Sequence, residues 1–437
     1  MMKRSQLTIQ LSIILSLSLT EICAQHRLNA DESDPQRMGW MQGFPPPEEK
    51  IISAADGSFF SFPALRYSVC HMRQFMPTAN VKAAPKNRYR FKVKLDSGID
   101  SVTFIPLNSD QRMTWETSLT ENYTDGILIL HKGKIVYEKY FGELKPDGIH
   151  AAMSVSKTFT GTLGALLVEE GILDENKMGS DYVPELKNSA FGDATIREIL
   201  DMTTALKYSE DYADSNAEIW SFAAAGNPFP KPSSYTGPTN YYDYLVTVQK
   251  NGEHGAAFGY KTINTDAMGW IISRVTGKSI PQLLSEKIWV PLGTHFDGYY
   301  QVDGAGIAFA GGGFNANMRD MAMFGEMIRN KGKFNKQQIV PEVLVEDIMN
   351  GGSQDTFRKS TFGELLPGWS YRNMWWILHN DHGAFAARGV HGQTVYIDPK
   401  AEMVIVRFAS HPEAKNAKID PTILPGFQAV AEYLLNE

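Results

Sequence analysis

Three short stretches carry residue types that can do chemistry together. The first is Ser154-Val155-Ser156-Lys157. After Met153 the apolar residues Val155, Phe159, Leu163, Leu166 and Leu167 recur at helical spacing and Gly171 is placed to end the run, so the quartet opens a helix with Ser154 at its start. Residues three apart on a helix share a face, with Cβ atoms roughly 5–6 Å apart, which lets the Lys157 amine reach the Ser154 hydroxyl. A serine hydroxyl is a poor nucleophile until a base takes its proton. An amine is such a base only when burial or a positive neighbour lowers its pKa. The helix N-terminus adds backbone N–H groups and the positive end of the dipole where an oxyanion would form. The same quartet also fits a plain helix N-cap followed by a solvated lysine, so it needs company.

That company is Phe258-Gly259-Tyr260-Lys261-Thr262-Ile263-Asn264-Thr265-Asp266, just before a second helical pattern from Thr265 to Val275 that ends at Gly277. Alone, Tyr260 fits ordinary amphipathic packing at a helix start. Beside a cationic lysine a phenol loses its proton more readily, and a Tyr–Lys pair can shuttle protons between serine and leaving group. The third stretch is Arg388-Gly389-Val390-His391-Gly392-Gln393. Glycines flanking a strand let substrate approach the backbone, and an edge N–H there can be the second oxyanion donor. His391 fits either substrate binding or a local hydrogen bond.

The elements that must position these residues are strands at the two ends of the chain. Gly126–His131 and Ile135–Tyr140 flank the turn Lys132-Gly133-Lys134, and Gln393–Ile397 and Met403–Phe408 are joined through Asp398-Pro399-Lys400. Between them the pattern is mostly helix and loop, and Phe427–Leu435 reads as a C-terminal helix able to pack on the last hairpin. This predicts an α+β fold, one sheet built from both chain ends with a mostly helical insertion.

Composition narrows the partners. The 437 residues are 43% hydrophobic, 11% aromatic and 21% charged with a formal charge of −7, a globular composition that argues against a phosphate-tracking nucleic-acid binder. Lys3 and Arg4, the uncharged stretch Ser5–Thr20 and the small residues Cys23 and Ala24 form a secretory signal pattern, too short and interrupted to span a bilayer. The expected organisation is a signal peptide at 1–24, cleaved after Ala24, then an arm and mixed α/β extension at 25–105. The main domain follows at 106–437, its helical subdomain at about 175–300. Export to a secreted or periplasmic location, with no membrane span after signal removal, follows from that reading; oligomeric state and lipidation of Cys23 stay open. Cys70 is then a lone thiol outside any thiolate motif and is expected to be inert. Residues 25–45 are expected to lie as an extended arm, and Arg88–Lys94 as a short strand. No His-Glu-x-x-His or Cys-x-x-Cys pattern is present, so neither metal nor other cofactor is expected. Gly304-Ala305-Gly306 lacks the third glycine of a dinucleotide loop, and Gly311-Gly312-Gly313 reads as a tight turn at the cleft or a plain loop.

In this order and context the three stretches resemble the serine β-lactamase and penicillin-binding-protein superfamily, where Ser-x-x-Lys, Tyr-x-Asn-type and Lys-Thr-Gly-type motifs line one cleft. Gly39-Trp40-Met41-Gln42-Gly43-Phe44-Pro45-Pro46, His71-Met72-Arg73, Asp181–Leu186, Leu200-Asp201-Met202-Thr203 and His391-Gly392-Gln393 resemble its 6-aminohexanoate-dimer hydrolase branch, related to class C β-lactamases and esterases. The resemblance implies a β-lactamase/transpeptidase-like fold. It implies Ser154 as acylated nucleophile, Lys157 as proton acceptor, Tyr260 as relay to the leaving group, and the N–H groups of Ser154 and Val390 as oxyanion hole. It also implies Tyr212 on a mobile loop over the substrate, and Asn264, Gly389 and His391 beside it.

Two departures matter. Thr262 stands where β-lactamases carry an amide, with Asn264 two residues on, and Arg388 is the one charge where they carry Lys-Thr-Gly, so recognition of a β-lactam carboxylate is not implied. None of Asp211, Asp214 and Glu218 is matched to the acid that nylon-oligomer hydrolases set near an amine-bearing dimer. The expected activity is hydrolysis of a small ester or amide through an acyl-enzyme. The alternatives are a D-alanyl-D-alanine peptidase or weak class C-type β-lactamase, and a non-catalytic ligand-binding module of the same fold.

Overall fold

The computed structural model describes residues 27–212 and 214–437. The proposed signal segment at 1–24 therefore lies outside the described residues. In chain order the strands of the two larger sheets begin with β1 (Thr78–Val81), β2 (Lys92–Val93), β3 (Thr124–His131), β4 (Lys134–Tyr140) and β5 (His150–Ala151). Next come β6 (Gly298–Gln301) and β7 (Phe314–Ala316), then β8 (Ser370–Arg372), β9 (Trp375–Ile377), β10 (Phe385–Arg388), β11 (Thr394–Asp398) and β12 (Met403–Ala409). The helices that frame the site are α1 (Val155–Glu169), α2 (Ile263–Thr276), α3 (Met318–Arg329) and α4 (Asp420–Leu435).

The main sheet has eight strands in the order β8-β9-β10-β11-β12-β3-β4-β2. Every pairing is antiparallel except that of the edge strand β2 with β4. β12 and β3 are the seam where the two chain ends meet, with Val404 opposite Leu130 and Val406 opposite Leu128. Both faces of this seam are covered, so Ile127-Leu128-Ile129-Leu130 is a continuous apolar run rather than an alternating one. Ile127 and Ile129 pack with Trp115, Tyr396 and Phe427 beneath α4, whereas Leu128 and Leu130 join the larger core with Phe159 of α1 and Phe324 of α3. Fully burying a side chain such as Phe427 contributes about 1.5–3 kcal/mol. The β3–β4 turn has positive φ at both Lys132 (50°) and Gly133 (72°), the two-residue geometry that matches strand twist.

Three strands of the main sheet escaped the sequence pattern. β8, β9 and β10 hold only three or four residues each, below the length at which alternation can be seen, and β8 and β9 are joined by Asn373-Met374, both at positive φ. The expected strand Arg88–Lys94 contracts to Lys92–Val93. Its aromatic residues leave the sheet edge to pack elsewhere, Tyr89 and Phe91 lying 4.6 and 6.2 Å from the ring of Phe334. The 25–45 arm is not wholly extended either. Asp34 accepts from the N–H groups of Gln36 and Arg37 and so caps a short helix, Pro35–Met38.

A second sheet, β1-β6-β7-β5, carries the chain to the site. The extension before β1 is fastened beneath it by a buried network. Arg66 Nη2 lies 3.3 Å from Asp125, which also accepts from Ser410 at 2.9 Å and faces His150 Nε2 at 3.2 Å. His150 begins β5, four residues before Ser154. No helix among the described residues is long and apolar enough to cross a membrane.

Candidate active site

β5 leaves the small sheet through Met153, whose φ of 47° turns the chain sharply into α1. A non-glycine residue in that region is strained, and such strain is held where surrounding structure over-determines it. Ser154 is thereby left half-buried at the start of α1, with Lys157 one turn on and only 1% exposed. Lys157 Nζ donates to Ser154 Oγ at 3.0 Å and to the carbonyl of Gly311 at 2.6 Å. It also lies 5.0 Å from the ring centroid of Tyr260. The Tyr260 phenol is within hydrogen-bonding reach of the same serine hydroxyl. The Ser, Lys and Tyr of the first two stretches thus converge, from the starts of two packed helices.

Burial sets the protonation pattern. It pushes Lys157 down to about 8, against the pull of the Glu210 and Asp266 carboxylates. It pushes Tyr260 up, with Glu210 adding to the rise while Ser154 and Arg388 oppose it. The sequence expectation of a phenol eased toward ionisation by a lysine is therefore reversed. Lys157 is no leading influence on the phenol, and desolvation favours the neutral form of both groups.

Two carboxylates with no role in the sequence reading complete the electrostatics. Asp266 is 2% exposed and accepts from the N–H groups of Ala310 at 2.9 Å and Gly311 at 3.4 Å, so it clamps the turn whose carbonyl holds Lys157. Gly311 is needed there, because a Cβ would lie 2.4 Å from Thr262 Cγ2 and 3.0 Å from Asp266 Oδ2. The glycine run read as a turn at the cleft or a plain loop is the former. Glu210 accepts from the N–H and hydroxyl of Thr262, tying the loop that bears Tyr212 to the start of α2. Burial raises both acids, Glu210 and Asp266. Asp266 closes the second stretch and Glu210 stands two residues before Tyr212, but only their electrostatic proximity to Lys157 in space marks them.

The third stretch arrives between β10 and β11. Gly389 comes so close that a Cβ would lie 2.9 Å from Ser154 N and 3.0 Å from Ala152 O. Among the described residues neither the N–H of Ser154 nor that of Val390 has a hydrogen-bond partner. Two open donors on the two segments that meet at Gly389 can receive a developing oxyanion.

The substrate-facing expectations divide. Tyr212 is 37% exposed, with its ring 6.1 Å from that of Trp220. Asn264 is a correction: it is fully buried, its Oδ1 accepting from Thr204 at 2.5 Å and its amide donating to the Lys261 carbonyl at 3.1 Å, so no substrate can touch it. For His391 the local reading is the one on view. The ring is 5% exposed, burial lowers it to about 4, and Nδ1 donates to the His411 carbonyl at 2.7 Å. Cys70, packed with Leu65, Val69 and Met72, has its thiol pushed well up by burial, which keeps it inert.

The beta-lactamase family model matches residues 119–424. The chain is 32% identical over 352 residues to the 6-aminohexanoate-dimer hydrolase of Paenarthrobacter ureafaciens, covering 80% of this chain and 86% of that one. A solved structure from Bacillus anthracis, provisionally assigned as a 6-aminohexanoate-dimer hydrolase, superposes with a TM-score of 0.79 at 34% identity, over 89% of this chain and 99% of that one. A hydrolase with promiscuous acyltransferase activity shares the fold alone, with a TM-score of 0.55 at 15% identity over 70% of this chain and 93% of that one.

Proposed function

The chain belongs to the beta-lactamase family and is a serine hydrolase of the amidohydrolase and esterase kind, and from that premise we propose that it cleaves small esters or amides through an acyl-enzyme on Ser154. The observation that carries this reading is the contact of a buried Lys157 Nζ with Ser154 Oγ, 3.0 Å.

The direction of each pKa shift assigns the roles. Lys157, lowered to about 8, carries a neutral fraction of about one-tenth at pH 7 and half at pH 8, and that neutral amine takes the hydroxyl proton as Ser154 Oγ attacks the carbonyl carbon. The tetrahedral oxyanion rests on the N–H groups of Ser154 and Val390. Tyr260, raised and therefore a phenol, hands its proton to the departing oxygen or nitrogen and regains one from the Lys157 ammonium. Water then adds to the acyl ester, giving up its proton through Tyr260 and Lys157, and Ser154 leaves with a proton as the acid departs. Tyr212 covers the acyl or leaving group from the open side of the cleft.

The named dimer of the Paenarthrobacter relative is one amide of this class. A substrate with a carboxylate beside the scissile bond, as in β-lactams or D-alanyl-D-alanine, has less support, because the Arg388 guanidinium is engaged by Asp420. We place the mature enzyme outside the cytoplasm, on the strength of the 1–24 segment; the mass of the secreted N-terminus tests that. A panel of p-nitrophenyl esters, anilides and β-lactams tests the activity. Ester or anilide turnover that falls steeply in Lys157→Ala and Tyr260→Phe supports the reading, and undiminished turnover in both overturns it.

A further inference from the structure

We propose that Arg388 is a positioning residue: it fixes the aromatic wall behind Tyr260 and the strand end that carries Gly389 and Val390, rather than anchoring a substrate carboxylate. The inference rests on the proton-relay reading of Tyr260. Arg388 ends β10 and is 7% exposed. Its Nη2 is ion-paired with Asp420 in the first turn of α4. The guanidinium carbon lies 5.3 Å from the ring of Trp369 and 5.4 Å from that of Trp376. Trp376, on β9 opposite Ala386 of β10, is 5.2 Å from the Tyr260 ring and tilted 35° to it. Tyr371 and Phe362 meet the same ring edge-on at 6.2 and 6.0 Å. A planar cation bridging one carboxylate and two indoles is a geometry that lysine's point charge does not reproduce.

Arg388 immediately precedes Gly389, so one side chain holds both the wall that orients the phenol and the edge that supplies an oxyanion donor. The charges facing Tyr260 are Lys157 from α1, Glu210 from the 208–212 loop and Arg388 from β10. Arg388 is the permanent cation among them, and it opposes the rise that burial and Glu210 impose on the phenol.

The test compares a neutral ester, p-nitrophenyl butyrate, with its carboxylate-bearing counterpart, the p-nitrophenyl hemiester of succinic acid. Arg388→Met keeps the stem and removes the fork and charge. It is expected to lower kcat for both esters about tenfold, part of the roughly 10²–10⁴ that positioned proton transfer supplies, with KM unchanged. Arg388→Lys should recover little of the loss. In a Tyr260→Phe background the same substitution should cost distinctly less kcat than in wild type, because the wall then has no phenol to orient and only the oxyanion edge is left to lose. Asp420→Asn, which loosens the guanidinium without deleting it, should also lower kcat at constant KM and serves if Arg388→Met does not fold. A rise in KM confined to the hemisuccinate overturns the proposal in favour of a substrate anchor. An equal loss in the wild-type and Tyr260→Phe backgrounds overturns the tie between Arg388 and the wall behind Tyr260, and with it the proposal. Wild-type kcat in Tyr260→Phe alone would instead overturn the relay reading on which the proposal rests.

Discussion

Gly389→Ala isolates the oxyanion edge from everything else in the site. The backbone at Gly389, φ −134° and ψ 159°, is extended and suits alanine, so no torsional strain enters. What the methyl meets is fixed: Ser154 N at 2.9 Å, Ala152 O at 3.0 Å and Gln393 Cβ at 3.1 Å. Ordinary contact begins near 3.5–4.0 Å, so the strand end must retreat by roughly 0.5–1 Å from Ser154. A donor seated at about 2.9 Å from the oxyanion would then lie beyond the roughly 3.2 Å limit of a good N–H···O bond. Losing one such donor costs about 10²–10³ in kcat, or ~2.7–4 kcal/mol. The ground-state carbonyl uses the donor less than the oxyanion does, so KM should change little. Steady-state hydrolysis of a p-nitrophenyl ester reads both constants, and the thermal midpoint reports whether the sheet itself has yielded. A kcat within about twofold of wild type, with the fold intact, would refute the placement of the oxyanion hole at this edge.

Other substitutions probe the remaining parts. Because Lys157 is lowered by burial to about 8 and must be neutral to act, kcat/KM should climb as pH rises through that value and level above it. Glu210 favours the charged ammonium, so Glu210→Gln should move that limb to lower pH; a limb that stays put, or moves up, contradicts the assigned base. Asn264→Ala should lower stability by about 1–3 kcal/mol, since it orphans the buried Thr204 hydroxyl, and denaturant unfolding should show this with KM unmoved. Arg66→Ala strands Asp125 in the buried network and should destabilise the fold by about 3–5 kcal/mol; a loss under ~1 kcal/mol would mean the network does not hold the extension.

The parts of the fold legible in the sequence are those whose burial leaves a periodic trace. The β3–β4 and β11–β12 hairpins carry long apolar runs and turn residues, and α1 and α2 end at glycines with φ of 70° (Gly171) and 65° (Gly277). β8, β9 and β10 leave no such trace, because three or four residues rich in tryptophan and tyrosine do not define a period. Ser154, Lys157 and Tyr260 were legible because one helix turn fixes the first two and a second helix start presents the third. Glu210 and Asp266 were not: their influence on Lys157 is electrostatic and acts across 53 and 109 positions of sequence. The direction of the Tyr260 shift was not legible either, since charge neighbours can be guessed from a motif whereas desolvation requires the packed aromatic wall of Phe362, Tyr371 and Trp376.

The most direct test of the central claim is intact mass spectrometry after treatment with a serine-reactive phosphonate, followed by peptide mapping. One phosphonyl group per chain, on Ser154 and absent from Ser154→Ala, is the predicted result. Labelling at any other serine, or full hydrolytic turnover in Ser154→Ala, would contradict it.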